Sequence, residues 1–239
     1  MSKNIFKILV IFIVGMIGGI FADQIFWPYF VERPLFYQYR LEQSPIYVTE
    51  QKEITVQENI ALRNTIQRVE KAVVGVRTKT KTGKILEGSG LIISSDGLVV
   101  TLADLVPSGS DINFFWEGKS VSFQILKRDL DENLALIKIE ETNLATTGFA
   151  DLEKIKLGER VFLLGIIFEK EGTPEKVVNE GIVKTFDSNL IQTNIIEDSP
   201  LSGSPLFNIE GNALGLNIID REGKVTAIPI SKIKSFIGF

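Results

Sequence analysis

Ile85-Leu86-Glu87-Gly88-Ser89-Gly90-Leu91-Ile92-Ile93-Ser94-Ser95-Asp96-Gly97-Leu98-Val99-Val100-Thr101 reads as two apolar runs folded about a Ser95-Asp96-Gly97 turn. Short β-branched runs bounded by turn residues are strands, and Gly97 supplies the positive φ that a tight turn needs. The same texture continues in both directions. Strands are expected at Val73–Lys79, Ile85–Ser94, Leu98–Thr101, Asp111–Trp116, Val121–Lys127 and Leu134–Ile139, then at Val161–Gly165, Val177–Phe186, Leu190–Thr193, Pro205–Asn208, Ala213–Ile219 and Lys224–Ile228. Ile209-Glu210-Gly211 and Arg221-Glu222-Gly223 are further glycine turns. Leu62, Ile66, Val69 and Val73 recur at helical spacing behind Asn59 as N-cap, which predicts a short amphipathic helix over 59–71 that packs on the strands. A second short helix is expected at Ser231–Ile237. The fold class is therefore all-β, a sandwich or a pair of barrels, with a short helix before and after.

Composition excludes whole mechanisms. The 239 residues include no cysteine and no histidine. Disulfides, thiol nucleophiles and zinc-thiolate sites are ruled out, and so is the usual general base near neutral pH. No cofactor is indicated, and a metal site would have to be built from carboxylates alone. The neighbouring acids Asp129, Asp131 and Glu132 lack the spaced partners of a calcium loop and read as turn residues. Gly83, Gly88 and Gly90 are followed by no helix start or Lys-Ser/Thr pair, so they are strand and turn glycines rather than a phosphate loop. The net charge of −4, with no basic stripe, argues against a nucleic-acid partner.

The amino terminus points to a membrane. Ile8–Ala22 is an uncharged run of 15 residues, extended by Ile5 and Phe6 if Lys7 reaches back to the head groups. Eighteen helical residues span roughly 27 Å, against a hydrocarbon core of about 30 Å. Lys3 and Lys7 before the run and Asp23 after it place the amino terminus in the cytoplasm and the body outside, on the cytoplasmic (inner) membrane. The alternative is a cleaved signal peptide, for which Ile20-Phe21-Ala22 is a poor cleavage site. Seven aromatics between Phe26 and Tyr39 resemble an interfacial belt, or else pack under the domain. Pro28, Pro34 and Pro45 mark a stalk with little regular structure. The expected organisation is an anchor over 1–24, a stalk over 25–58 and a domain over 59–239.

Four segments in order resemble the protease domain of HtrA/Deg-type, trypsin-like serine peptidases. They are Glu87-Gly88-Ser89-Gly90 with its strand and the following Ser95 to Thr101; Asn133-Leu134-Ala135-Leu136-Ile137-Lys138-Ile139; Gly181-Ile182-Val183 running to Ile191-Gln192-Thr193-Asn194; and Ser202-Gly203-Ser204-Pro205-Leu206-Phe207-Asn208, continuing through Leu214-Gly215-Leu216-Asn217 to Ala227-Ile228-Pro229. The resemblance implies two six-stranded Greek-key barrels with a cleft between them, and a Ser-His-Asp triad served by an oxyanion hole. The family's usual PDZ-like domain is not expected after Phe239, and by analogy with the family a homo-oligomer, a trimer, is expected, which the stripe Leu62 to Val73 could help to form.

Laid on that family pattern, the nucleophile position is kept as Ser202. Asp104 stands where the resemblance implies the histidine, and a carboxylate is a poor base for an alcohol near neutral pH. Asn133 stands at the triad aspartate. The family's oxyanion amides would come from Ser202 and from position 200, which here is Pro200, without an N–H. The loop around Ser202 is therefore expected to be built differently. Ile196 would line the primary specificity pocket, or else be core. The expectation is a membrane-anchored pseudoprotease acting as an extracytoplasmic protein- or peptide-binding module. The alternative is an active HtrA-like endopeptidase in envelope quality control that uses Ser202 with a nonstandard base.

Overall fold

The computed structural model describes residues 2–31, 60–169 and 173–238. The chain divides into two compact units, 1–57 and 58–239. In the first, α1 (Ser2–Phe21) is an apolar helix whose described side chains from Asn4 onward are exposed, continued by a π-helical segment over Ala22–Val31. Asn4–Trp27 is long and apolar enough to cross a membrane. Such a helix is a membrane anchor or a signal sequence. Phe26 and Trp27 are about half exposed. Helical backbone thus runs to Val31, past the expected start of an irregular stalk. Pro28 lies inside this π-helical stretch rather than ending it. The rest of the expected stalk, the aromatics beyond Val31 and the Asn59 cap lie outside the described residues.

In the second unit, helix α2 covers 60–69 and runs through a 3₁₀ turn, Glu70–Ala72, into the first strand. Its apolar stripe is spent inside the domain: Val69 and Val73 are buried, with Leu62 and Ile66 packed against the same core. Thr65 Oγ1 donates to the Ile209 carbonyl at 3.0 Å, and the Arg68 guanidinium donates to that of Glu210. This corrects the idea that the stripe is free to join copies of the chain.

Strands β1 (Val73–Lys79), β2 (Ile85–Ile92), β3 (Leu98–Leu102), β4 (Asp111–Trp116), β5 (Lys119–Val121), β6 (Phe123–Asp129) and β7 (Leu134–Ile139) form one antiparallel sheet in the order β5-β4-β1-β2-β3-β7-β6. Strands β8 (Arg160–Phe168), β9 (Pro174–Phe186), β10 (Ile191–Ile196), β11 (Pro205–Asn208), β12 (Ala213–Ile219) and β13 (Lys224–Pro229) close a six-stranded barrel, and α3 (Ile230–Ile237) follows. The expected two barrels are thus present, the second closed with six strands and the first a half-barrel with seven strands rather than six. The segment read as one strand, Val121–Lys127, breaks at Ser122: β5 pairs with β4, whereas β6 pairs with β7. The Ser122 carbonyl accepts from the Glu140 N–H at 2.9 Å, so one bent segment serves both edges and the ladder is open between them.

The core explains the apolar texture. Along β8, Val161 and Leu163 point into the barrel, while Phe162, Leu164 and Ile166 join the core shared with the first sheet. Both faces are buried, which is why this strand is continuously hydrophobic rather than alternating. The two halves are stitched directly. Buried Ser89 donates its N–H to the Ser202 carbonyl at 2.9 Å, and its Oγ accepts from the Ile166 N–H at 2.8 Å. Thr101 Oγ1 donates to the Ser89 carbonyl at 2.7 Å. Glycine is required on either side of this stitch. A Cβ on Gly88 would lie 2.6 Å from the Ser202 carbonyl oxygen, and one on Gly203, where φ is +78°, would collide with that of Ser89.

Candidate functional site

A cleft of about 480 Å³ lies where three walls meet. The β1–β2 hairpin gives Arg77 and Lys84 to Glu87; the first sheet gives Leu102, Asp104, Leu105 and Asn133; the barrel gives Ser199, Pro200, Ser202, Ile218 and Ile219. Ser202, Asp104, Asn133 and Pro200, scattered in sequence, therefore line one cavity.

The serine is held by a tight turn. Ser199–Leu201 form a single 3₁₀ turn behind Asp198, with Pro200 in a first-turn position where its missing N–H is no loss to the helix. The Leu201 N–H donates to the Asp198 carbonyl at 3.0 Å, and the Ser202 N–H to the Ser199 carbonyl at 3.0 Å. The Ser202 amide is thus engaged within its own loop. Gly203 donates to the Asn217 carbonyl at 2.7 Å, the Asn217 N–H donates to the Ser204 carbonyl at 2.8 Å, and Asn217 Nδ2 donates to Ser204 Oγ at 3.0 Å. These bonds tie the loop to β12. Ser202 Oγ is half-buried and has no hydrogen-bond partner among the described residues.

Asp104 sits in a 3₁₀ turn, Ala103–Leu105, that follows β3. The Thr78 hydroxyl donates to the Leu105 carbonyl at 2.6 Å and fixes this turn to β1. Asn133 occupies the β6–β7 turn with φ of +52°, a left-handed conformation that asparagine tolerates better than most residues. The two side chains meet. The Asp104 N–H donates to Asn133 Oδ1 at 3.0 Å, and Asn133 Nδ2 donates to Asp104 Oδ2 at 3.1 Å. An amide can give the carboxylate one N–H and take the backbone N–H in return, but it brings no positive charge. Asp129, Asp131 and Glu132 are turn residues here: Asp129 Oδ1 accepts from the N–H groups of Asp131 and Glu132, each at 3.0 Å, and Glu132 pairs with Lys232 at 3.0 Å.

Ile196 stands apart. It is 69% exposed and is not among the residues lining the cleft. Residues along β10 alternate between buried and exposed, and Ile196 falls on the outward set, so neither a core position nor a place in this cleft describes it. The residues that sequence reasoning missed are those of the hairpin wall, Arg77 and Lys84 to Glu87. Arg77 Nε is 3.2 Å from a Glu87 carboxylate oxygen, and the guanidinium lies over the Phe168 ring at 5.6 Å. No local signal marks them, because only the tertiary packing of the hairpin carries them to the cleft.

The family model for a trypsin-like peptidase domain matches residues 88–216. A probable periplasmic serine endoprotease DegP-like protein of Halomonas elongata is 30% identical over 143 residues, covering 57% of this chain and 30% of that protein. Serine protease HTR4 of Rattus norvegicus is 32% identical over 166 residues, covering 63% of this chain and 33% of the other. The chain spans about a third of the length of the curated relatives it matches. The solved structure of HtrA-type protease AlgW with tripeptide superposes with a TM-score of 0.65 at 23% identity, covering 74% of this chain and 62% of that one. At that identity the superposition establishes a shared fold.

Proposed function

Because the chain belongs to the trypsin-like peptidase family, and is HtrA-like within it, we propose that it is a catalytically silent member, tethered to the cytoplasmic membrane, whose cleft binds extracytoplasmic peptide or protein segments. The observation that carries this reading is the loop 198–202. Its Ser202 N–H is spent on the Ser199 carbonyl, and Pro200 has no N–H, so neither amide at the family's oxyanion positions points free. Removing one such donor costs a peptidase about a hundred- to a thousandfold in rate.

The base and its orienter give the same message. Asp104 and Asn133 are hydrogen-bonded to each other, and a carboxylate holding an amide neither takes the serine proton near neutral pH nor becomes the imidazolium that an orienting aspartate would stabilise. The membrane assignment rests on α1, with Lys3 and Lys7 ahead of the apolar run and Asp23 behind it.

Retention of Ser202 in the cleft lining favours the competing reading, an endopeptidase that uses Ser202 with a nonstandard base. The two separate in a digestion of unfolded casein by the full chain in detergent micelles. The expected result is no cleavage beyond that given by Ser202→Ala; cleavage that Ser202→Ala abolishes would overturn the silent-cleft reading.

A further inference from the structure

We propose that the cleft selects an extended peptide segment by one basic side chain, Lys or Arg, seated against the carboxylate of Asp104; this rests on the reading of the cleft as a binding site. Four charged side chains line the cleft: Arg77, Lys84, Glu87 and Asp104. Two of them neutralise each other, since Arg77 and Glu87 form an ion pair at 3.2 Å.

Asp104 is exposed and has no cationic partner among the described residues. Among the described residues its side chain is bonded by the neutral Asn133 amide at 3.1 Å, which orients the carboxylate without cancelling its charge. A carboxylate offers about four lone-pair sites, and Asn133 occupies one, so acceptors remain for an ammonium or guanidinium group.

The surroundings suit the stem of such a side chain. Leu102, Leu105, Ile218 and Ile219 line the same cleft, and Lys and Arg lay their methylene chains along apolar surface while the charged end reaches a polar partner. Lys84 sets a limit. It too has no ion-pair partner among the described residues, and a second positive charge on the ligand would meet it unfavourably. The cleft therefore takes an isolated basic side chain among small and apolar neighbours, not a polybasic run.

The test uses the full chain in detergent micelles and three pools of capped peptides, degenerate in Ala, Leu, Ile, Ser and Gly, that differ only in a fixed central lysine, acetyl-lysine or glutamate. Anisotropy titrations are expected to show the lysine pool binding about three- to tenfold more tightly than the acetyl-lysine pool, with the glutamate pool weakest. That preference contracts as salt rises from about 50 to about 500 mM. In Asp104→Asn, which keeps an oxygen for Asn133 and removes only the charge, the preference disappears. If that variant fails to fold, the salt dependence of the wild-type preference still decides. Equal affinity for lysine and acetyl-lysine, or a preference that survives Asp104→Asn, would overturn charge selection while leaving the binding reading intact. Failure of every pool to bind would overturn both.

Discussion

Two layers meet at Ser202, and they are held in different ways. Beneath it, Ser89, Thr101, Ser204 and Asn217 are buried: Ser89 takes the Thr101 hydroxyl and ties the first sheet to the barrel through the Ile166 N–H and the Ser202 carbonyl, while Asn217 bonds Ser204 within the barrel. Above it, Asp104 is exposed, Asn133, Pro200 and Ser202 are partly so, and the bonds among them are local. The lower layer is what keeps two sheets in register. Its polar groups would be stranded in the core if a partner were lost, so it persists whether or not the cleft performs chemistry. The upper layer faces water, where a substitution costs little stability, so it is free to change function.

That contrast can be broken by substitution. Gly203→Val should have the largest effect, since it combines a positive φ with a clash on the Ser89 carbonyl; a loss of about 3 kcal/mol or more is expected in urea unfolding. Ser89→Ala leaves the Ile166 N–H buried without a partner and should cost about 1–3 kcal/mol in the same measurement. Ser202→Ala, removing a hydroxyl that bonds to nothing described, should change stability by no more than about 0.5 kcal/mol. A loss near that of Ser89→Ala would erase the distinction between the layers.

The smallest expected effect lies in the β9–β10 turn. The N–H groups of Asn189 and Leu190 hold the Asp187 carboxyl below the ordinary carboxylate range. A lowered folded value means stability that is fully present above the unfolded value and lost as pH falls through the folded one. Thermal melts of wild type and Asp187→Asn should therefore differ slightly at neutral pH and converge in strong acid.

Much of the frame is legible in the sequence. The bounds of β1, β4, β7, β11 and β12 coincide with runs ended by turn residues. Other features depend on packing. Gly165 reads as a strand end, yet β8 continues through it to Phe168, because that glycine makes room for the Ser202 loop: a Cβ there would lie 2.6 Å from Leu201 Cδ2. The break at Ser122 has no local signature, since it follows from one segment changing neighbours. Family resemblance singles out Asp104 and Asn133 one at a time, but that they bond to each other, and that Arg77 and Lys84 share their cleft, is visible only in three dimensions.

Whether the cleft is silent is tested most directly by labelling the full chain, in detergent micelles, with a fluorophosphonate probe. Wild type is expected to label no faster than Ser202→Ala. Rapid labelling that Ser202→Ala removes would show an activated serine and contradict a silent cleft.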